Sequence, residues 1–70
     1  MHIRTFKAKV AKLFRKANPG WEIGETTIGP NRFKPATGNE AIVWRVWVQK
    51  GDRKTQVSLR WSDINGFWMQ

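Results

Sequence analysis

Apolar side chains in the first seventeen residues return every three or four positions, at Ile3, Phe6, Val10, Leu13, Phe14 and Ala17. At about 100° per residue they fall within an arc of about 100°, the stripe a helix buries against one neighbour. Lys9, Lys12, Arg15 and Lys16 fall on the far side of that wheel, and Arg4 and Lys7 flank the stripe. The pattern predicts a helix over residues 1–17. Asn18-Pro19-Gly20 ends it, because proline disfavours helical geometry at the residue before it and has no N–H to donate. Arg15 and Lys16 stand at the C-terminal end, where cations complement the helix dipole.

After Gly20 the period shortens to two. Residues 21–28 (WEIGETTI) predict a first strand with Trp21 and Ile23 inward, and Gly24 with the late shift of the apolar position to Ile28 predicts a bulge or an early end. Residues 29–39 (GPNRFKPATGN) carry Gly and Pro at both ends and read as a long loop, with at most a short irregular strand around Arg32-Phe33-Lys34. Residues 41–49 and 54–61 give the strongest β signal. Gly51-Asp52 between them suits a two-residue turn with Gly first. If Lys50 faces Arg53, Val48 pairs with Thr55, Val46 with Val57, Trp44 with Leu59 and Ile42 with Trp61. The other face then pairs Gln49 with Lys54, Trp47 with Gln56, Arg45 with Ser58 and Val43 with Arg60. A slip by one residue would mix the two faces, so turn chemistry and burial specify one register. Residues 62–66 form a turn, and Phe67-Trp68-Met69 is expected to pair back onto the third strand. The predicted fold is a single α+β domain in the order α-β-β-β-(β). Its basic helix packs on a three- to four-stranded antiparallel meander as a two-layer sandwich.

Composition changes this picture in two ways. A 70-residue chain has a marginal core, and with no cysteine it lacks disulfides and thiolate zinc sites, so five tryptophans and four phenylalanines must supply the buried area. Lack of disulfides in so small a domain argues mildly for a reducing compartment. Thirteen Lys and Arg against five Asp and Glu give a net charge of +8. Residues 1–17 hold six of those cations and no acid, a net of +6, and the other 53 hold seven cations and five acids, a net of +2. Charge this concentrated predicts a surface patch for an anionic partner.

No apolar run approaches the roughly 18 residues that span a bilayer. Basic residues interrupt every stretch that could serve as the apolar core of a secretory signal. A mitochondrial presequence shares the basic, acid-free, amphipathic character of residues 1–17. These residues lack its usual serines, and the sheet needs their apolar face, so they are expected to belong to the fold.

Catalysis finds little support, and neither a metal nor a cofactor is expected. His2 is the only histidine and sits beside the terminus. In a regular strand Glu22 and Glu25 point to opposite faces, and Ser58 and Ser62 have no identifiable base. Two binding surfaces remain. On the outer helix face, Arg4, Lys9, Lys12, Arg15 and Lys16 make a band about 20 Å long, a row that matches backbone phosphates. On the open hairpin face, Arg45, Trp47, Lys54 and Arg60 mix cations with a large ring, as single-strand binders do, and Arg32, Phe33 and Lys34 would extend it. Covering of Trp47 by residues 67–69 or by a second subunit is the competing expectation for that face.

A helix followed by three antiparallel strands, with Gly29-Pro30 after the first, resembles the double-stranded-RNA-binding domain in topology. The resemblance implies a helix that reads a minor groove. The family's loop histidine and its C-terminal helix have no counterpart here.

The expectation is a non-enzymatic module that binds DNA or RNA through phosphates, acting in the cytoplasm or at the nucleoid. The alternative is an inhibitor or adaptor, such as a phage-type anti-defence protein, docking on an acidic protein surface. Peripheral binding to an anionic membrane ranks below both.

Overall fold

A computed structural model describes residues 1–36 and 38–70, so the part of the predicted loop at Thr37 lies outside the described residues. Helix α1 spans Ile3–Ala17. His2 is its N-cap, with Nδ1 accepting a hydrogen bond from the Arg4 backbone N–H at 3.2 Å, so the lone histidine starts the helix rather than standing free in solvent. At the other end the backbone N–H and side-chain amide of Asn18 both donate to the Phe14 carbonyl, at 2.9 and 3.0 Å. One residue thus satisfies a carbonyl that the ladder leaves open.

Four strands follow: β1 (Glu22–Phe33), β2 (Ala41–Lys50), β3 (Arg53–Ser62) and β4 (Gly66–Met69). They form one antiparallel sheet in sequential order. The β2–β3 register is the one that the hydrophobic pattern specifies, with Trp44 opposite Leu59, Arg45 opposite Ser58 and Lys50 opposite Arg53. At the turn Gly51 has φ 57° and Asp52 a negative φ, as suits a hairpin turn that needs a positive φ only at its first central residue. β4 pairs onto β3 through Trp61–Phe67, Arg60–Trp68 and Leu59–Met69, as expected of the last strand.

β1 is where the structure departs from expectation. It neither ends at Ile28 nor gives way to a loop at residue 29; it runs on through Gly29-Pro30 to Phe33, which pairs with Ala41. The register shifts at three places, between Ile23 and Thr26, Thr26 and Ile28, and Ile28 and Asn31. Each bulge adds residues that break the period of two, which is why the segment does not read as one strand. The first bulge also removes the premise of a regular strand under which Glu22 and Glu25 point to opposite faces. Gly29, at φ 83°, approaches β2 so closely that a Cβ there would stand 2.6 Å from the Val43 carbonyl oxygen. Only glycine permits that approach.

α1 lies across the face carrying Ile42, Trp44, Val46, Val48 and Leu59, with Phe6, Val10 and Phe14 packed among them. Trp21 and Ile23 join the edge of this core, as expected. Leu13, expected in the core, is only half-buried, because it sits at the margin of the apolar arc, beyond Phe6. No helix among the described residues is long and apolar enough to cross a membrane.

Two stability experiments check this packing. Phe14→Ala should cost about 3–5 kcal/mol in urea unfolding, and Leu13→Ala well under half as much, because only the first removes a fully buried side chain. Gly29→Ala should destabilise more than Gly51→Ala, which has φ strain of about 1 kcal/mol but open space around it, as judged by the unfolding midpoints.

Candidate nucleic-acid interface

The six basic side chains of α1 are all exposed, but they do not form one uniform face. The Lys7 ammonium lies 5.1 Å from the Trp44 ring centroid, and the Lys9 ammonium lies 4.5 Å from that of Trp61. These two lysines flank the apolar stripe and reach down to the sheet on either side of it. Lys9 therefore belongs to the margin of the helix, not to its far side. Among the described residues, Arg4, Lys12, Arg15 and Lys16 have no ring beneath them and no carboxylate beside them. The one ion pair among the described residues is Arg32–Glu40, at 3.3 Å. At 1.5 Å rise per residue these four cations span about 18 Å of helix, held at fixed spacing by the buried stripe below.

The distinction matters because a cation over a ring is accounted for by packing alone. Such pairs contribute about 0.5–1 kcal/mol at exposed sites. Lys7, Lys9, Arg53, Lys54 and Arg60 all stand over rings, those of Trp44, Trp61, Trp21, Trp47 and Phe33. Arg4, Lys12, Arg15 and Lys16 stand over no ring among the described residues, and of these Arg15 and Lys16 lie in the last turn, where cations complement the helix dipole.

The opposite face of the sheet is uncovered. β4 extends the sheet at its edge and does not fold over Trp47; it ends beside Leu59, and Gln70 exchanges backbone hydrogen bonds with Ser58. Arg45 is half-buried at the centre of this face. Its Nε donates to Gln56 Oε1 at 2.6 Å and its Nη1 to Ser58 Oγ at 2.9 Å, and Gln56 Nε2 donates onward to Thr27 Oγ1 at 3.1 Å. The guanidinium is thus oriented by neutral acceptors, and its charge is left uncompensated. Arg60 lies 5.7 Å from the Phe33 ring, with its Nε buried and without a hydrogen-bond partner among the described residues. Lys54 stands over Trp47 at 5.1 Å.

Not every residue expected on the open face is there. Arg32 pairs with Ile42 and so belongs to the helix side, where its Nη2 donates to the Met1 carbonyl and its Nη1 holds Glu40. Lys34 lies beyond β1 and is exposed. Phe33 does face the open side, under Arg60. Trp68, opposite Arg60, is a further ring on this face that sequence reading passed over as a possible cover. The Asn65-Gly66 turn signal, taken with the β3 register, would have placed it.

Elsewhere, Met1, Arg32, Glu40, Trp61 and Asp63 line a cleft of about 240 Å³. Both of its carboxylates are engaged, Glu40 by Arg32 and Asp63 by the Trp61 indole N–H at 3.3 Å. Ser58 accepts from Arg45, and Ser62 Oγ accepts from the Asn65 backbone N–H at 2.9 Å. Among the described residues no three metal-ligating side chains gather. Comparisons with known protein families, curated proteins and solved structures give no match for this chain.

Replacement of single helix lysines should separate the two groups. Lys9→Ala should lower stability by about 0.5–1 kcal/mol through loss of its contact with Trp61, and Lys12→Ala should leave the thermal midpoint within error of wild type.

Proposed function

We propose that this protein is a small non-enzymatic module that binds nucleic acid through phosphate contacts, with little base specificity, along the outer face of α1. The observation that carries this reading is the row Arg4, Lys12, Arg15 and Lys16: exposed, of one sign, and without ring or carboxylate partners among the described residues. Each cation that neutralises a phosphate releases condensed counterions, and that release drives binding without reference to sequence. A helix anchored by Phe6, Val10 and Phe14 presents these charges without a backbone ordering cost, since the backbone that spaces them is already fixed. The same anchoring argues against the membrane alternative, because these three side chains are enclosed by the sheet and unavailable to insert among lipids. His2, Ser58 and Ser62 have structural hydrogen bonds to account for them, which supports a binding role over a catalytic one. A nucleic-acid partner would place its action in the cytoplasm or at the nucleoid.

Affinity for duplex DNA should fall linearly on a log–log salt plot, with a slope of about −0.9 per neutralised phosphate. Lys12→Ala, Arg15→Ala and Lys16→Ala should each reduce that slope by about one, for all sequences alike. The double variant Lys12→Glu/Lys16→Glu should fold as wild type and lose most duplex affinity. Wild-type duplex binding by the folded double variant would remove α1 as the interface.

A further inference from the structure

The open face of the sheet is a second surface on the far side of the domain, and its chemistry differs from that of the helix. It carries three large rings, Phe33, Trp47 and Trp68, each partly accessible. At about 3.4 Å per residue and about 4.8 Å per strand, the register sets Trp47 and Trp68 roughly 17 Å apart and Phe33 roughly 16 Å from Trp68. Arg45 and Arg60 lie within that triangle. Neither has a carboxylate partner among the described residues. Strands β2, β3 and β4 contain no acid, and Glu22 of β1, opposite Gln49, stands on this face at the hairpin end, outside the triangle. The face therefore offers flat apolar platforms with fixed positive charge between them.

We propose that this open face holds a single nucleic-acid strand, with bases stacked on Trp47, Trp68 and Phe33 and phosphates on Arg45 and Arg60. Its chemistry selects that occupant among those available. A second copy of this chain would set Arg45, Lys54 and Arg60 of each face against one another, more cations than Glu22, opposite Gln49 at the hairpin end, offsets. A duplex keeps its bases stacked inside and offers these rings nothing flat. An unpaired strand presents both a π-face at every base and a phosphate between bases, which matches the alternation of ring and guanidinium. Arg45 is preorganised for the task, since Gln56 and Ser58 hold its Nε and Nη1 and leave Nη2 unspent among the described hydrogen bonds. Arg60 has an unbonded Nε and is held in place by packing alone, so an anion would be its first charged partner. The proposal does not rest on the helix reading, because the two surfaces lie on opposite sides of the sheet.

The test uses wild-type protein first. Single strands carrying 5-bromouracil are photo-crosslinked to it, and the adducts are mapped by mass spectrometry. Adducts are expected on the peptides holding Phe33, Trp47 or Trp68; adducts confined to α1 would overturn the proposal. Binding of fluorescent oligothymidylate and of a duplex is then compared by anisotropy. Trp47→Ala and Trp68→Ala should each weaken single-strand binding by roughly 5- to 150-fold and leave duplex binding within about twofold. Lys12→Glu/Lys16→Glu should show the reverse pattern, keeping its sheet adducts. Wild-type single-strand affinity in a folded Trp47→Ala/Trp68→Ala variant would sink the proposal and leave the helix reading intact. Tryptophan-dependent binding of polyglutamate without binding of the oligonucleotide would assign the face to an acidic protein instead.

Discussion

One face of the β2–β3 hairpin is apolar from Ile42 and Trp61 to Val48, and α1 is the element that covers it. Trp44, Val46, Val48 and Leu59 on one side and Phe6, Val10 and Phe14 on the other enclose one another almost completely. A chain of this size without cysteine has no other means of closing a core. The Phe6 and Trp44 rings meet edge to face at 6.2 Å, a geometry that aromatic quadrupoles favour. From this single contact the remaining features follow. It turns the charged side of α1 outward, sets Lys7 and Lys9 over tryptophans, and leaves the second sheet face with nothing to cover it.

That second face shows how a sheet too small to be a sandwich keeps an open side in water. The rings there are interleaved with Arg45, Lys54 and Arg60, and each guanidinium or ammonium lies along an apolar neighbour or a neutral acceptor. Long cationic side chains can cover apolar surface with their stems while their charged heads stay hydrated. The two basic surfaces therefore differ in kind. α1 offers charge at regular spacing on a rigid rod, and the sheet offers charge set among rings.

β1 runs the full length of the hairpin at its edge. It must begin at the tip of the hairpin, where Trp21 lies under Arg53, and end beside Ala41 at the other end of β2. Three register shifts in twelve residues accomplish this, and each increases local twist. Thr26 is placed by one of them so that its hydroxyl accepts the Trp44 indole N–H at 3.0 Å. A buried tryptophan would otherwise lose that hydrogen bond.

The helix, the hairpin register and the last strand were legible in the sequence because each is a local pattern. A period of 3.6, a period of two and a Gly-Asp turn are properties of neighbouring residues, and burial of one face makes any other register costly. The concentration of cations in residues 1–17 was equally plain. Tertiary structure alone decided how far β1 extends, since its bulges break the very period that reveals strands. It alone moved Lys9 onto Trp61, Arg32 to the helix side and Leu13 to the margin of the core. It also brought Phe33, Trp68, Arg45 and Arg60 onto one face. Those placements depend on pairing between residues far apart in the chain, and a period read along one segment carries no information about what lies across from it.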